Sequence, residues 1–492
     1  MPLLASGDYR PDVSDYEGQA TKNILNVLPR GDGYGPFPSF TAYTSALPSA
    51  CRGAFYALKS DGTVVTFAGT SNKLYQLNDT NYSWVDVSLG GGAYGALTAT
   101  AQWQFAQTGN LVFATQANAV LQVFDLTAST TFTNALGSPP QAAYISVVGQ
   151  FLVLSGLLSA PYRIQWSGLD SFNASASWTS GINSSDFQDF PDGGIVRGVA
   201  GGESGIIFQD LAIRSMSFVP GSPIIFQIDR ITQDKGLFAP YSIIRAAEKI
   251  FFYAGQGFHK IEPGGVPEPI GRERVDRTFL ADLDKGNLQL FMGAADPRST
   301  RVYWAYKSVA GSSGIYDKIL GYDFLLDRFF PIESTGEYLL GISQTGLTLE
   351  NLDALAPGGS LDAMTLSLDA YATAVQPEIG QFSNTHGLGF FRGDNLEATI
   401  ESAEQGTDEN RITIRGFRPV TDAATLFGSA SYRDTQAVPA TAGAEVPLNA
   451  RSGRCDMRRD TRYSRFRVRI PQATPWTFFA GVVPDIATGG AL

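Results

Sequence analysis

Between Cys51 and Val87, short apolar runs alternate with turn signals. Residues 54–58 run into Ser60-Asp61-Gly62, 64–68 into 69–72, and 74–77 into 78–81, and 84–87 follow. Short runs broken by Asp-Gly or Asn/Gly/Ser clusters predict antiparallel strands joined by tight turns. Four such strands in about forty residues match one blade of a β-propeller. Comparable units begin near Trp103, Ala143, Val196, Ser242 and Leu288. Their first inner turns fall near 61, 109, 149, 203, 248 and 297. That is propeller spacing, without the strict signature of a WD or kelch array. Six blades are expected up to about residue 335. Residues 338–342, with 347–349, supply a seventh blade or a closing strand.

The pattern changes at both ends. Residues 1–40 are rich in Pro, Gly and Asp, show little periodicity, and predict an extended arm. The propeller is expected over 41–355. Ala356-Pro357-Gly358-Gly359-Ser360 predicts a linker at 356–361. Strand candidates then follow at 396–400, 411–417, 424–432, 463–470 and 476–483, separated by long loops. The expected fold class is all-β: a six- or seven-bladed β-propeller-like domain plus a smaller C-terminal β-sandwich-like domain over 362–492.

Composition supports this. The 492 residues are 43% hydrophobic and only 17% charged, enough for a large core and against disorder. Fifty-three glycines and 12% aromatics favour turns and strands over helices. The net charge of −11 argues against a nucleic-acid coat protein but leaves room for a channel that DNA slides through without sticking. Cys51 and Cys455 stand far apart, so no disulfide framework is expected, which fits assembly in a reducing cytoplasm. The N-terminus lacks the basic and apolar regions of a signal peptide, and no apolar run is long enough for a membrane-spanning helix.

Candidate chemistry is sparse. The Gly31-x-Gly33-x-Gly35 run is followed by Pro36 and opens no helix, so it is not a dinucleotide site. His259 and His386 are the only histidines, and no metal-ligand spacing exists. Asp282 to Asn287 resembles the start of a calcium loop but lacks the later ligands. Asp186, Asp189, Asp192 and Glu203 enter the fourth unit and are the carboxylates a propeller glycosidase would use. No Asp-box accompanies them, and no Gly-x-Ser-x-Gly elbow occurs. Catalytic, cofactor-binding and metal-binding residues are therefore all expected to be absent.

One charged stretch stands out. Arg451, Arg454, Arg458, Arg459, Arg462, Arg465, Arg467 and Arg469 face only Asp456 and Asp460, a net +6 in an acidic chain. In a strand, 465–470 puts three arginines on one face and three apolar residues on the other. Three readings stay open: an edge or surface strand paired with the chain's own acids, a subunit contact, or a DNA-phosphate contact.

Several short words, in order, carry a resemblance. They are Asn26-Val27-Leu28-Pro29-Arg30 with Gly33-Tyr34, Cys51-Arg52-Gly53-Ala54, Phe67-Ala68-Gly69-Thr70 with Lys73-Leu74-Tyr75, and Trp84-Val85-Asp86-Val87-Ser88. Gln165-Trp166-Ser167-Gly168, Gly201-Gly202-Glu203, Ile270-Gly271, Val275-Asp276-Arg277 and Asp296-Pro297 continue them. Together they resemble the tail hub or nozzle proteins of short-tailed bacteriophages. That resemblance implies a non-enzymatic virion protein assembled in the bacterial cytoplasm. It implies a homohexameric ring below the portal and adaptor, with fibre, tailspike or needle proteins as neighbours. Double-stranded DNA would cross the lumen without specific binding. The rival expectations are a propeller glycosidase acting on host glycans and a tail-tip adhesin. Charge reversal of Arg465, Arg467 and Arg469 is expected to block ring assembly.

Overall fold

The computed structural model describes residues 3–14, 20–222, 224–262, 264–344, 376–406 and 410–491. The linker expected at 356–361 and the run 347–349 lie outside them. Among the described residues, the single α-helix is Asp276–Asp282, and the chain is otherwise built on strands.

Seven of the sheets have four antiparallel strands each. The first six follow the chain, over 54–86, 104–134, 142–189, 196–232, 244–269 and 292–336. The seventh joins Tyr338–Gln344, Gln376–Phe382 and Gly387–Asn395 to Pro38–Ala46, from the other end of the chain. All neighbouring sheets but the fourth and fifth touch through their first strands among the stronger contacts, and Tyr338–Gln344 returns to Ala54–Leu58, closing the circle. Between the fourth and fifth sheets, the Arg245 guanidinium donates to the Gly201 carbonyl. A Cβ on Gly202 (φ 150°) would fall on that guanidinium, so the close approach needs glycine. This is an all-β fold consistent with a β-propeller.

The second strand of each sheet explains why the pattern was readable. Val64–Gly69 and Gly205–Gln209 are buried at every position. A strand covered on both faces reads as a continuous apolar run rather than an alternation. Aromatic pairs join one sheet to the next: Phe67 with Phe124 at 5.1 Å, Phe208 with Phe252 at 4.9 Å, and Trp84 with Phe382 at 5.7 Å. Such tilted or edge-on pairs add about 0.5–1.5 kcal/mol each beyond their burial.

The structure differs from the expected arm at 1–40. Leu4–Ala5, Val27–Arg30 and Gly33–Pro36 are strands of a six-stranded sheet completed by Asn410–Thr421, Cys455–Thr461 and Phe479–Ala491. Ile24–Leu25 pairs with Ala398–Glu401 in a seven-stranded sheet that also holds Phe427–Arg433 and Tyr463–Ile470. These N-terminal strands are two to four residues long, too short to show alternation, and Pro29 and Pro36 interrupt them. One core includes Ile24, Val27, Tyr34, Phe417 and Phe466 from the terminal sheets. It continues into Tyr303, Phe330 and Ile332 of the sixth four-stranded sheet.

The start of the chain also caps the helix. Asp12 accepts from the backbone N–H groups of Arg277 (2.7 Å) and Thr278 (2.9 Å) and from the Thr278 hydroxyl (2.6 Å). An oxygen there satisfies helix donors that otherwise have no partner. Beside it, burial pushes the Asp276 carboxyl up to about 6, against a backbone N–H bond from Phe258 and helped by Asp12. A carboxyl raised on folding favours the native state below its unfolded value, and that contribution is lost as pH rises through about 6. Asp276→Asn keeps an acceptor for the Phe258 N–H. It is expected to melt a few degrees above the parent at pH 7.5 and level with it at pH 4, in paired thermal scans. Equal melting at both pH values would contradict the assignment.

Candidate functional site

The arginine run divides between two sheets. Arg458 and Arg459 lie on Cys455–Thr461, an edge strand of the six-stranded sheet, with Arg451 and Arg454 in the turn before it. Arg465, Arg467 and Arg469 lie on Tyr463–Ile470, which sits between Phe427–Arg433 and Ala398–Glu401 and is not an edge. The alternation is present: Phe466, Val468 and Ile470 are fully buried, and Arg467 is exposed.

Half of these eight arginines hold partners within the fold through their side chains. Arg469 donates to Glu445 (2.7 Å) and Glu397 (2.9 Å) and lies 4.6 Å over the Phe427 ring. Arg465 is 3.6 Å from Glu404, which Arg433 grips with two nitrogens. Arg454 bridges Asp456 (3.2 Å) and Asp485 (2.8 Å). Arg459 stacks over Tyr432, and the Arg462 backbone N–H donates to Asp434. Reversing Arg465, Arg467 and Arg469 together would therefore strip partners from buried Glu404 and from Glu445. Such a variant reports on folding before it reports on assembly. Two arginines that the sequence reading passed over, Arg415 and Arg418, are exposed on the central strand Asn410–Thr421. They sit singly among apolar residues, so no charge run marks them.

The carboxylates of a glycosidase reading are tied up. Arg163 clamps Asp189 through two nitrogens at 2.6 and 2.9 Å, and this holds the Asp189 carboxyl below its ordinary range. Asp192 accepts from Arg214 at 2.6 and 2.8 Å and is also reached by Arg230. Asp186 accepts from Ser180 at 2.6 Å, and Glu203 is exposed on a hairpin. Acids held ionised by arginine are poor proton donors to a leaving group. Asp284 accepts from Lys307, Asn287 and the Gly286 N–H, as expected for a closed surface turn. Among the described residues, no three His, Cys, Asp or Glu side chains gather as a metal site.

Both histidines make internal bonds. Burial lowers the His259 pKa, and its Nδ1 lies 3.0 Å from the Gly257 carbonyl. His386 Nδ1 lies 2.6 Å from Glu337, whose other oxygen accepts the Cys51 N–H at 2.9 Å. Glu337 thus joins the entry to the seventh sheet, its hairpin, and the chain leading into the first sheet. Burial raises the Glu337 carboxyl despite these bonds.

The middle of the circle is crossed by side chains. The Gln102 N–H, just before the second sheet, donates to the Tyr241 hydroxyl, just before the fifth, at 3.0 Å. The Gln102 side-chain amide donates to the Gln289 carbonyl, just before the sixth. The Tyr144 ring of the third sheet lies 6.1 Å from that of Tyr241, tilted by 59°. These contacts join the entries to the second, fifth and sixth sheets and the third sheet across the circle. Desolvation there pushes the Tyr241 phenol well above its usual range.

No protein family matches the chain, and no curated protein matches its sequence. Solved structures resemble it distantly. The extracellular domain of a putative one-component system from B. thetaiotaomicron is 9% identical, with a TM-score of 0.41, over 77% of this chain and 43% of that one. The chain therefore spans less than half of that protein's length. The WD40 repeats of RRP9 are 9% identical, with a TM-score of 0.37, over 61% and 89% of the two chains. A chain of the mitotic checkpoint complex is 9% identical, with a TM-score of 0.38, over 74% and 94%. No helix among the described residues is long and apolar enough to cross a membrane.

Proposed function

We propose that this chain is a structural subunit of a short-tailed phage tail, a nozzle or hub. In this reading the seven four-stranded sheets are seven propeller blades, the larger of the two counts expected, with Tyr338–Gln344 in the seventh. The two terminal sheets form a β-sandwich fused to the sixth blade. Subunits form a ring below the portal and adaptor, with a hexamer expected, and fibre, spike or needle proteins attach beyond it. The protein is not an enzyme. It holds the genome in the head and conducts it at ejection.

The observation that carries this reading is the double lock on the start of the chain. Residues 4–36 complete the two terminal sheets, and Pro38–Ala46 closes the seventh blade. One segment thus ties both bodies together, so neither opens without the other. Such a unit suits a mechanical load better than substrate entry and release. Side chains cross the middle of the circle, and in this reading the lumen for DNA lies between the subunits of a ring. A net charge of −11 keeps phosphate from sticking to its wall.

Quantitative mass spectrometry of purified particles tests the proposal. The chain is expected there in a fixed number of copies per portal ring. Its absence from particles that retain the portal would overturn the reading.

A further inference from the structure

The outer side of the six-stranded sheet holds more arginine than it pairs. Arg411, Arg415 and Arg418 come from Asn410–Thr421, Arg458 from Cys455–Thr461, and Arg451 and Arg454 from the turn before it. The aspartates beside them are engaged. Arg411 holds Asp434 at 3.3 Å and Asp460 at 3.4 Å, and Arg454 holds Asp456 and Asp485. Arg415, Arg418, Arg451 and Arg458 are exposed and bond no acid among the described residues.

Their placement is unfavourable for the isolated chain. Ile414 pairs with Arg459 and Gly416 with Asp456, so Arg415 faces Met457 and Arg458 across a bulge. Met457 packs on the core, which leaves Arg458 exposed beside Arg415. Like charges opposed across a ladder destabilise a sheet. A Cβ on Gly453 would come within 4.0 Å of Arg418 Nε, so the turn bearing Arg451 joins the same patch.

We propose that this face docks an acidic surface of a second copy of the chain. The inference rests on the oligomeric reading above and adds the surface that carries it. The chain is acidic overall, so a second copy offers carboxylates in excess at matching concentration. The arginine fork binds a carboxylate through two parallel hydrogen bonds. Interleaved Asp456, Asp460 and Asp485 repel a uniformly negative phosphate backbone, whereas a protein surface can match mixed signs. A basic face meeting a different, acidic face is a heterologous contact, the kind that closes rings.

The test is native mass spectrometry and sedimentation of the full chain with Arg415→Glu and Arg458→Glu together. The parent is expected to assemble and to loosen as salt is raised. The double variant is expected to associate about tenfold or more weakly, with its melting midpoint little changed, because a Glu–Glu pair replaces the Arg–Arg pair across the ladder. If the reversed pair does not fold, the neutral pair Arg415→Gln and Arg458→Gln is expected to show the same direction of change. A folded variant that assembles like the parent overturns this inference alone. A parent that stays a single chain at every concentration overturns it together with the oligomeric reading. Retention of a short DNA duplex by the parent, lost in the variant while assembly is unchanged, would assign the face to phosphate instead and overturn it.

Discussion

Deleting residues 1–46 is expected to leave no soluble, cooperatively folding protein. The deletion removes the outer strand of the seventh sheet and uncovers the edge of Gly387–Asn395. It takes three strands from the six-stranded sheet and one from the seven-stranded sheet. Ile24, Val27, Tyr34 and Phe37 are each at most 5% exposed and leave with it. At about 1.5–3 kcal/mol per buried side chain, those four alone approach the whole stability of a typical domain, about 5–15 kcal/mol. Asn26 accepts the Glu333 N–H at 2.9 Å and donates to the Glu397 carbonyl at 2.9 Å, so buried polar groups also lose partners. Soluble yield and a far-UV circular dichroism melt check this. A soluble deletion variant melting cooperatively near the parent would contradict the double lock.

Glu404→Ala is expected to cost about 3–5 kcal/mol. The Arg433 and Glu404 side chains are 7% and 3% exposed, and Arg433 donates to Glu404 from two nitrogens, at 2.8 and 2.5 Å. Removing the carboxylate leaves the guanidinium buried without its charged partner, while the Gln436 side chain and the carbonyls of Gln436 and Val438 still accept from it. Replacing both partners, as Glu404→Leu with Arg433→Met, is expected to recover most of the loss, because desolvation and attraction then vanish together. Denaturant midpoints of the two single variants and the double variant measure this. A Glu404→Ala cost below about 1 kcal/mol, the range of exposed pairs, would show that the pair is solvated.

The first six sheets were legible because each second strand is covered on both faces and reads as an unbroken apolar run. Residues 149–150 illustrate the turns: Gly149 takes φ 55° between Val148 and Phe151, as a two-residue hairpin loop requires. The seventh sheet was only half legible. Tyr338–Gln344 carries an apolar run, but its outer strand lies some three hundred residues upstream, where no local pattern points to it. The role of residues 4–36 was hidden for the same reason, and by prolines that break any alternation. In 465–470 the alternation showed which side chains turn inward. It could not show that Glu404, Glu445 and Glu397, from three other segments, neutralise Arg465 and Arg469. Arg415 and Arg418 gave no charge run and emerge only when strand register sets Arg415 beside Arg458. The contacts across the circle were beyond reach too, since Gln102, Tyr241 and Gln289 meet only once the circle closes.

The central claim is that this chain forms a ring on a tail axis with DNA passing between subunits, not through one. Electron cryo-microscopy of intact particles at a resolution that distinguishes individual blades tests it most directly. The predicted result is a closed ring below the adaptor, with the centre of each propeller lying off the tail axis and the lumen bounded by several copies. A propeller centred on the tail axis, or copies projecting from it as fibres, would contradict the account.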